Sequence, residues 1–388
     1  MIHNIILTDH AERDHLLPLT YTRPMAKIRV GIFTIDEKWR NLTGANVSFK
    51  TPAYLANVFP SHFSESNHYI NGGIIPTTEL IAAIDALADG QSLVAGNTWI
   101  ATKSKEHLAD MVLSNQIPFE DDLHIIDRTW KIFQWNGWAL EQDFNWIKSQ
   151  RTSEPIPDGV TTIGNNIFLE KGAVVQPSAI LNSTDGPIYI GTDAEVMEGA
   201  MIRGGFALCD HSAVKMGAKI YGPTTVGPHS KVGGEVGNSV IFGYSNKGHD
   251  GYIGNTVIGE WCNLGADTNT SNLKNNYSIV KVHNFALNRS ESTGSQFCGL
   301  TMGDHSKSGI NTMFNTGTMC GVFANVFGSD FPHRNIPSFG WGSAAGFKSF
   351  RLADALEVAQ KMMERRKIDL TQDWIDVYMH LHSELAPK

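Results

Sequence analysis

Between Gly233 and Asn272 the chain concentrates groups that can move a proton and hold an anion: GGEVGNSVIFGYSNKGHDGYIGNTVIGEWCNLGADTNTSN. His249 is the first candidate for chemistry. Imidazole titrates near neutrality, so it can take a proton from a nucleophile as that nucleophile attacks, a contribution of roughly 10²–10⁴-fold in rate. Tyr252 and Asn263 carry groups that can donate and accept hydrogen bonds with a polar ligand. Other readings of these residues stay open. His249 follows Gly248 and also fits an exposed loop position. Asn263, Asn269, Asn272, Asn275 and Asn276 also fit turns or asparagine ladders, and Cys262 fits a buried position better than a nucleophilic one.

The elements that must position these groups follow a six-residue period. Ile190, Val196, Ile202, Leu208, Val214, Ile220, Val226 and Val232 fall six residues apart, and Gly191, Gly227 and Gly233 each follow one of them. That period fits neither a helix nor one face of a simple strand. It fits a parallel β-helix, in which each hexad is one flat side with its apolar residue turned inward. Hexads begin at Ile163-Gly164, Leu169 and Val175, and Leu181–Pro187 interrupts them. The phase shifts after Val232 and resumes at Ile258-Gly259 and Leu264-Gly265. A polar excursion, roughly Lys274 to Gln296, leaves the coil, and Met302, Ser308, Phe314, Cys320 and Val326 take up the step again. From Arg351 the spacing turns helical: Leu352, Ala355, Leu356, Ala359, Met362 and Met363 make one stripe, and Trp374, Tyr378, Leu381 and Leu385 a second. These helices are expected to cap the open end of the β-helix.

Residues 1–150 carry no hexads. Ile2–Leu7 reads as a buried strand, Thr78 as the cap of a helix over Glu79–Ala88, Ser92–Ala101 as a strand or hairpin broken at Gly96-Asn97, and Lys103–Asn115 as a second helix. Strands alternating with helices predict an α/β domain. Trp99, Trp130, Trp135, Trp138 and Trp146 are read as packing residues. The expected organisation is an α/β domain over 1–150, a proline-bearing linker at 151–158 opening a β-helix over 151–346, and C-terminal helices over 347–388.

A net charge of −8 argues against nucleic acid or an anionic membrane surface as the main partner. No apolar run is long enough to span a bilayer, and the first residues lack the pattern of a signal peptide. Cys209, Cys262, Cys298 and Cys320 form no CxxC pair, as expected of reduced, buried thiols in a cytoplasmic protein.

The same stretch resembles the acetyltransferase half of the bifunctional GlmU family, which makes UDP-N-acetylglucosamine. His249, Tyr252, Gly254, Asn263, Leu264, Gly265 and Ala266 stand at that family's spacing; Glu235 and Asn272 match further family positions. The resemblance implies a left-handed parallel β-helix, a homotrimer, and acetyl-CoA bound between neighbouring helices. It implies His249 as general base, with Glu235 orienting the imidazole. Lys219, Tyr252, Asn263 and Asn272 would hold an amino-sugar phosphate, glucosamine 1-phosphate in the family, and a backbone N–H near Ala266 would stabilise the thioester oxyanion. Lys219 stands where the family has arginine, which keeps the charge and loses the bidentate fork. Two family lysines are Gly237 and Ser278 here, with Lys247, Lys274 and Lys281 nearby.

Family members begin with a sugar nucleotidyltransferase domain built on a Gly-rich loop. Here TDHAERDHLLPLTYTRPMAKIRV follows the first strand, with no Gly-rich loop. Leu17-Pro18-Leu19-Thr20 and Thr22-Arg23-Pro24 resemble the end of that loop, and Arg13, Arg23, Lys27, Arg29 and Lys38 are the phosphate candidates. The family's Gly-Asp, which holds a divalent cation, is Gly96-Asn97 at best, so any Mg²⁺ needs other ligands. The domain reads as a reduced nucleotidyltransferase, either still making a nucleotide sugar or serving as a binding module. Two alternatives compete for the whole chain. One is a non-catalytic trimeric scaffold for a sugar nucleotide. The other is a metal-dependent enzyme like the γ-carbonic anhydrases, with His229, His249 and His305 as ligands.

Overall fold

Ile5, Ile6 and Leu7 are buried without alternation, as a strand covered on both faces requires. They form the centre of β1 (Asn4–Thr8), which pairs in parallel with β2 (Asn46–Lys50) and β3 (Asn67–Asn71). The computed structural model describes residues 2–108 and 115–388, which form two compact units. The first comprises Met1–Leu16, Thr22–Ile28 and Phe33–Arg128. Its sheet has the order β2-β1-β3-β5-β4-β6, with β4 (Ser92–Ala95), β5 (Thr98–Ser104) and β6 (Gln116–Pro118). The helices are α1 (Ile35–Thr43), closed by a Thr34/Glu37 capping box, and α2 (Thr78–Asp85). Thr77, not Thr78, caps α2, accepting from the Leu80 N–H. The hairpin turns at Gly96-Asn97 as expected. The helix expected over Lys103–Asn115 is not there at its start: Lys103 and Ser104 finish β5, and 105–108 are irregular, while 109–114 lie outside the described residues.

The second unit comprises Leu17–Tyr21, Arg29–Ile32 and Thr129–Lys388. It contains a parallel β-helix of about ten turns, the left-handed hexapeptide type. Its three faces hold six, nine and ten strands. Inward residues stack in register, Val175 on Val196, Val214 and Val232 along one face, and Ile190 on Leu208 and Val226 along the next. These residues form one continuous buried core.

The phase shift after Val232 has a plain cause. Val226 pairs with Ile241 and Val232 with Lys247, fifteen residues on, whereas Leu208 pairs with Val226 eighteen on. The coil is shortened at its corners, first at Gly233-Gly234, so Val236, Ile241 and Ile253 take the inward positions that the hexad count misses. The excursion after Asn272 contains a hairpin, Lys281–Asn284 against Arg289–Ser292.

Along the corner between the nine- and ten-stranded faces, His211, His229, Tyr244, Trp261, His305, Phe323 and Phe339 occupy the left-handed region, one per coil. That conformation is unfavourable for bulky residues. The rings compensate by stacking in one ladder, with centroid spacings from 4.2 Å between Tyr244 and Trp261 to 6.1 Å between Trp261 and His305.

Two helical findings depart from the sequence reading. α3 (Thr129–Gln150) carries four of the tryptophans and packs on the nine-stranded face. Asn136 Oδ1 accepts from the Gly31 N–H and the Thr225 hydroxyl, and its Nδ2 donates to Pro223 O. Gly137 is required there, since a Cβ would lie 2.9 Å from the Pro223 ring. α4 (Leu352–Glu364) and α5 (Gln372–Leu385) do not cap the end. They lie along the β-helix. Arg366 donates to His229 O, Tyr378 meets His305 and Phe323, and His382 packs on Phe339. The ring ladder offers their apolar stripes a lateral seat, and the last coil ends instead in a hairpin, Gly340–Ser343 with Gly346–Ser349.

Ile202 is 1% exposed in the core of the β-helix. Ile202→Ala is expected to lower stability by about 2–5 kcal/mol, read from the shift of the denaturant midpoint at unchanged slope.

Candidate functional site

His249 stands at the corner between the ten- and six-stranded faces, in the turn that joins Asn246–Lys247 to Tyr252–Gly254. The turn is glycine-flanked for a reason: Gly251 has φ +109°, and a Cβ there would lie 2.3 Å from Thr268 O. The imidazole is exposed, and among the described residues it has no hydrogen-bond partner. The shortened Gly233-Gly234 corner lies in the coil before it. That trimming leaves a notch of about 580 Å³ bounded by Lys215, Met216, His249, Asp250, Ala266 and Asp267.

A second cleft of about 700 Å³ runs from the same corner across the ten-stranded face. Its floor is Lys231, Asn246, Asn263 and Lys307, its far edge Tyr244 and Trp261, and its wall Val358, Met362, Arg365 and Arg366 of α4 and its C-terminal turn. Lys215, His249 and Ala266 belong to both cavities. No carboxylate lines this second cleft, so its field is positive. Lys307 donates to His305 O, and burial depresses its pKa to about 8.

On the other side of the corner, the six-stranded face aligns Lys219 with Glu235 and Glu235 with Tyr252. Tyr221 donates its hydroxyl to Glu235 Oε1 at 2.6 Å. Asn272 Nδ2 donates to the Tyr252 hydroxyl at 2.9 Å and to Asn255 Oδ1 at 2.8 Å. Burial, and then the Glu235 carboxylate, raise the Tyr221 pKa well above the usual phenol range, so it remains a donor.

The sequence-derived candidates therefore divide. Lys219, Glu235, Tyr252 and Asn272 share one face; Asn263 and Ala266 line the cleft on the other side; His249 stands between. Among the described residues Glu235 makes no hydrogen bond to the imidazole, and its Oε1 accepts from Tyr221 on the neighbouring strand. His229, His249 and His305 do not converge on a metal: His229 and His305 belong to the ring ladder with Tyr244 and Trp261 between them, and His249 is on a different corner. Sequence reasoning missed Lys215, Lys231, Lys307, Arg365 and Arg366. The lysines were marked only by alternation with inward residues, and the arginines by nothing until α4 was placed.

In the first unit the phosphate candidates are largely engaged. Asp9 accepts from the Met25 N–H at 2.8 Å and from Thr51 at 2.6 Å, and pairs with Arg13 at 3.2 Å. Burial nonetheless raises its pKa. Lys27 pairs with the buried Asp36 at 2.8 Å. Arg29, which belongs to the second unit, donates to Phe242 O at 3.0 Å. Gly96-Asn97 is an exposed hairpin tip, and no cluster of three or more metal-binding side chains occurs among the described residues.

Comparison with known proteins adds independent findings. Residues 5–152 match the family model described as sugar nucleotidyl transferase. A bifunctional sugar-1-phosphate nucleotidylyltransferase/acetyltransferase of Sulfurisphaera tokodaii is 28% identical over 213 residues, 54% of this chain and 46% of that protein. The bifunctional protein GlmU of Methanocaldococcus jannaschii is 36% identical over 104 residues, 27% of this chain and 25% of its own. That of Trichodesmium erythraeum is 23% identical over 270 residues, 64% and 48% respectively. The chain spans less than half the length of each of these relatives.

All four cysteines are free and buried. Burial raises the Cys262 thiol strongly and pushes Cys298 and Cys320 up to about 12. Ellman's reagent at pH 8 should therefore titrate no thiol promptly in the native protein and all 4 after denaturation. Prompt native labelling at Cys262 would restore it as a nucleophile.

Proposed function

We propose, for a chain that is a divergent relative of the GlmU-type bifunctional proteins, that the second unit transfers an acetyl group from acetyl-CoA to the amine of an amino-sugar phosphate. Glucosamine 1-phosphate is the acceptor that the resemblance favours. The observation that carries this reading is the position of His249, exposed at a corner with a cationic cleft on one side and a sugar-sized polar network on the other.

The chemistry follows from that placement. The cleft is long and basic, suited to a thioester carrier that ends in phosphates; Lys215, Lys231, Arg365 and Arg366 would meet the phosphates, and Tyr244 and Trp261, whose faces are stacked in the ladder, present ring edges. The thioester then reaches the corner at Ala266, whose backbone N–H would stabilise the developing oxyanion. Lys219 would pair with the sugar phosphate, and Tyr252 and Asn272 would hold the ring. The amine attacks the thioester carbonyl, a C–N bond forms, and His249 takes the proton that the amine sheds. The C–S bond breaks, and the imidazolium returns that proton to the departing thiolate, which leaves as free CoA. Glu235 acts on the sugar side, through Tyr221, not on the imidazole. The site is open on both faces of the corner, which fits closure by a neighbouring copy in a homotrimer.

His249→Ala tests the assignment. The trimer should persist by light scattering with a nearly unchanged melting temperature, since the side chain is exposed. Free-thiol release from acetyl-CoA should fall by roughly 10²–10⁴-fold. Partial recovery is expected at high pH, where more of the amine is already neutral. A variant that keeps more than about a tenth of the wild-type rate would remove His249 as the base.

For the first unit, the reading is a reduced sugar nucleotidyl transferase that handles a nucleotide sugar. Its test is pyrophosphate release from UTP and N-acetylglucosamine 1-phosphate with and without Mg²⁺. Mg²⁺-dependent release is the expected result; no release in either condition would leave only a binding role.

A further inference from the structure

Lys247 occupies a position where the fold calls for an apolar side chain. It pairs with Val232, the last of a column that runs through Val175, Val196 and Val214, and all four valines point into the bore. Lys247 is 2% exposed, among the largest fully buried side chains of the molecule. A charge buried in an apolar column is costly unless its hydrogen bonds are met. Here they are met by one turn: Nζ donates to His249 O at 2.5 Å and to Asp250 O at 2.8 Å. The chain doubles back so that the side chain beneath the turn holds the turn's own carbonyls.

We propose that Lys247 is a positioning residue for the reaction assigned to His249: from inside the β-helix it ties the His249–Asp250 backbone down and so aims the imidazole at the junction of the two cavities. This rests on the reading of His249 as the base. Three observations favour it over a purely structural role. Nothing on the imidazole itself fixes its direction, because among the described residues the ring has no partner and Glu235 is engaged by Tyr221. The turn contains Gly248 and Gly251, with little side-chain packing of its own. Neighbouring coils hold Asp250 O through the Asp267 N–H and Gly251 O through the Glu235 N–H, whereas among the described residues His249 O has Lys247 Nζ as its partner, so the support from the bore falls on the histidine itself. Burial brings the Lys247 pKa down to about 8, and the charges of Asp250 and Asp267 oppose that shift.

Lys247→Met keeps the length of the side chain and removes the donors. Because apolar residues precede it in the column, the variant is expected to fold with undiminished thermal stability, the opposite of what loss of a structural tie would give. In the full-length protein kcat should fall about 10–10²-fold with the KM for acetyl-CoA nearly unchanged, the signature of misplacement and not of lost binding. Amide hydrogen exchange over 248–252 should speed up by about ten-fold. Lys247→Gln, which retains an N–H donor, should recover part of both, and it decides by the same readouts if the Met variant does not fold. Wild-type kcat together with wild-type exchange in the turn would overturn the proposal. The exchange measurement needs no turnover. A wild-type protein that releases no CoA, yet shows exchange of this turn sensitive to Lys247, would fail the His249 reading and leave the tie itself standing.

Discussion

The parallel register of the β-helix is the constraint on which the site depends. Each coil must return beneath its own start so that its backbone pairs with the coils on either side, and each flat side must turn an apolar residue into the bore. A regular coil leaves no room for a recess. The coil that begins at Val232 departs from the rule by dropping residues at its corners while keeping its pairing, and the loss at Gly233-Gly234 appears outside as the notch beside His249. The same coil brings Lys247 inward, in the one column position of its face where valine gives way to a buried ammonium. Recess, histidine turn and internal cation are thus consequences of one shortened turn.

Charge is partitioned around that turn in a way that the overall balance hides. The chain carries a net −8, yet the cleft beneath α4 is lined by Lys215, Lys231, Lys307, Arg365 and Arg366 without a carboxylate. The six-stranded face instead holds a neutral-to-acidic network of Tyr221, Glu235, Tyr252 and Asn272, with Lys219 as its cation. The positive field over the cleft would draw a phosphate-rich ligand to that side of His249. α4 is essential to this partition, because it supplies both the apolar wall and the two arginines. The ring ladder seats α5 through Tyr378, and Arg366, just beyond α4, donates to His229 O of the same ladder.

In the first unit, by contrast, the polar residues are turned on one another. Asp9 at the end of β1 gathers Met25, Thr51 and Arg13, and Asp36 gathers Thr34, Lys27 and Arg40. A Gly-rich loop would leave its backbone N–H groups free for phosphate. Here a side-chain carboxylate occupies the Met25 N–H after the first strand, within the stretch that matches the sugar nucleotidyl transferase model.

The sequence by itself determined the parts of this protein that repeat or that act locally. The hexads from Ile190 to Val232 require a β-helix because only that fold buries every sixth residue; the stripe from Leu352 requires a helix; and the spacing of His249, Tyr252 and Asn263 carries the resemblance on which the proposed site rests, since all three depend on near neighbours in the chain. What the tertiary structure decided involves residues far apart in sequence, or patterns broken by a length change. α3 was hidden because its aromatic residues and Gly137 weaken helix propensity, and its real determinant is a seat beside Pro223 and Thr225. The lateral docking of α4 and α5 depends on rings contributed one per coil, which no local window contains. The engagement of Glu235 by Tyr221, and the inward turn of Lys247, follow from coils of unequal length. A period count loses its phase there, and only the hydrogen-bonded register, set by the backbone's need to pair, shows which side chain faces the bore.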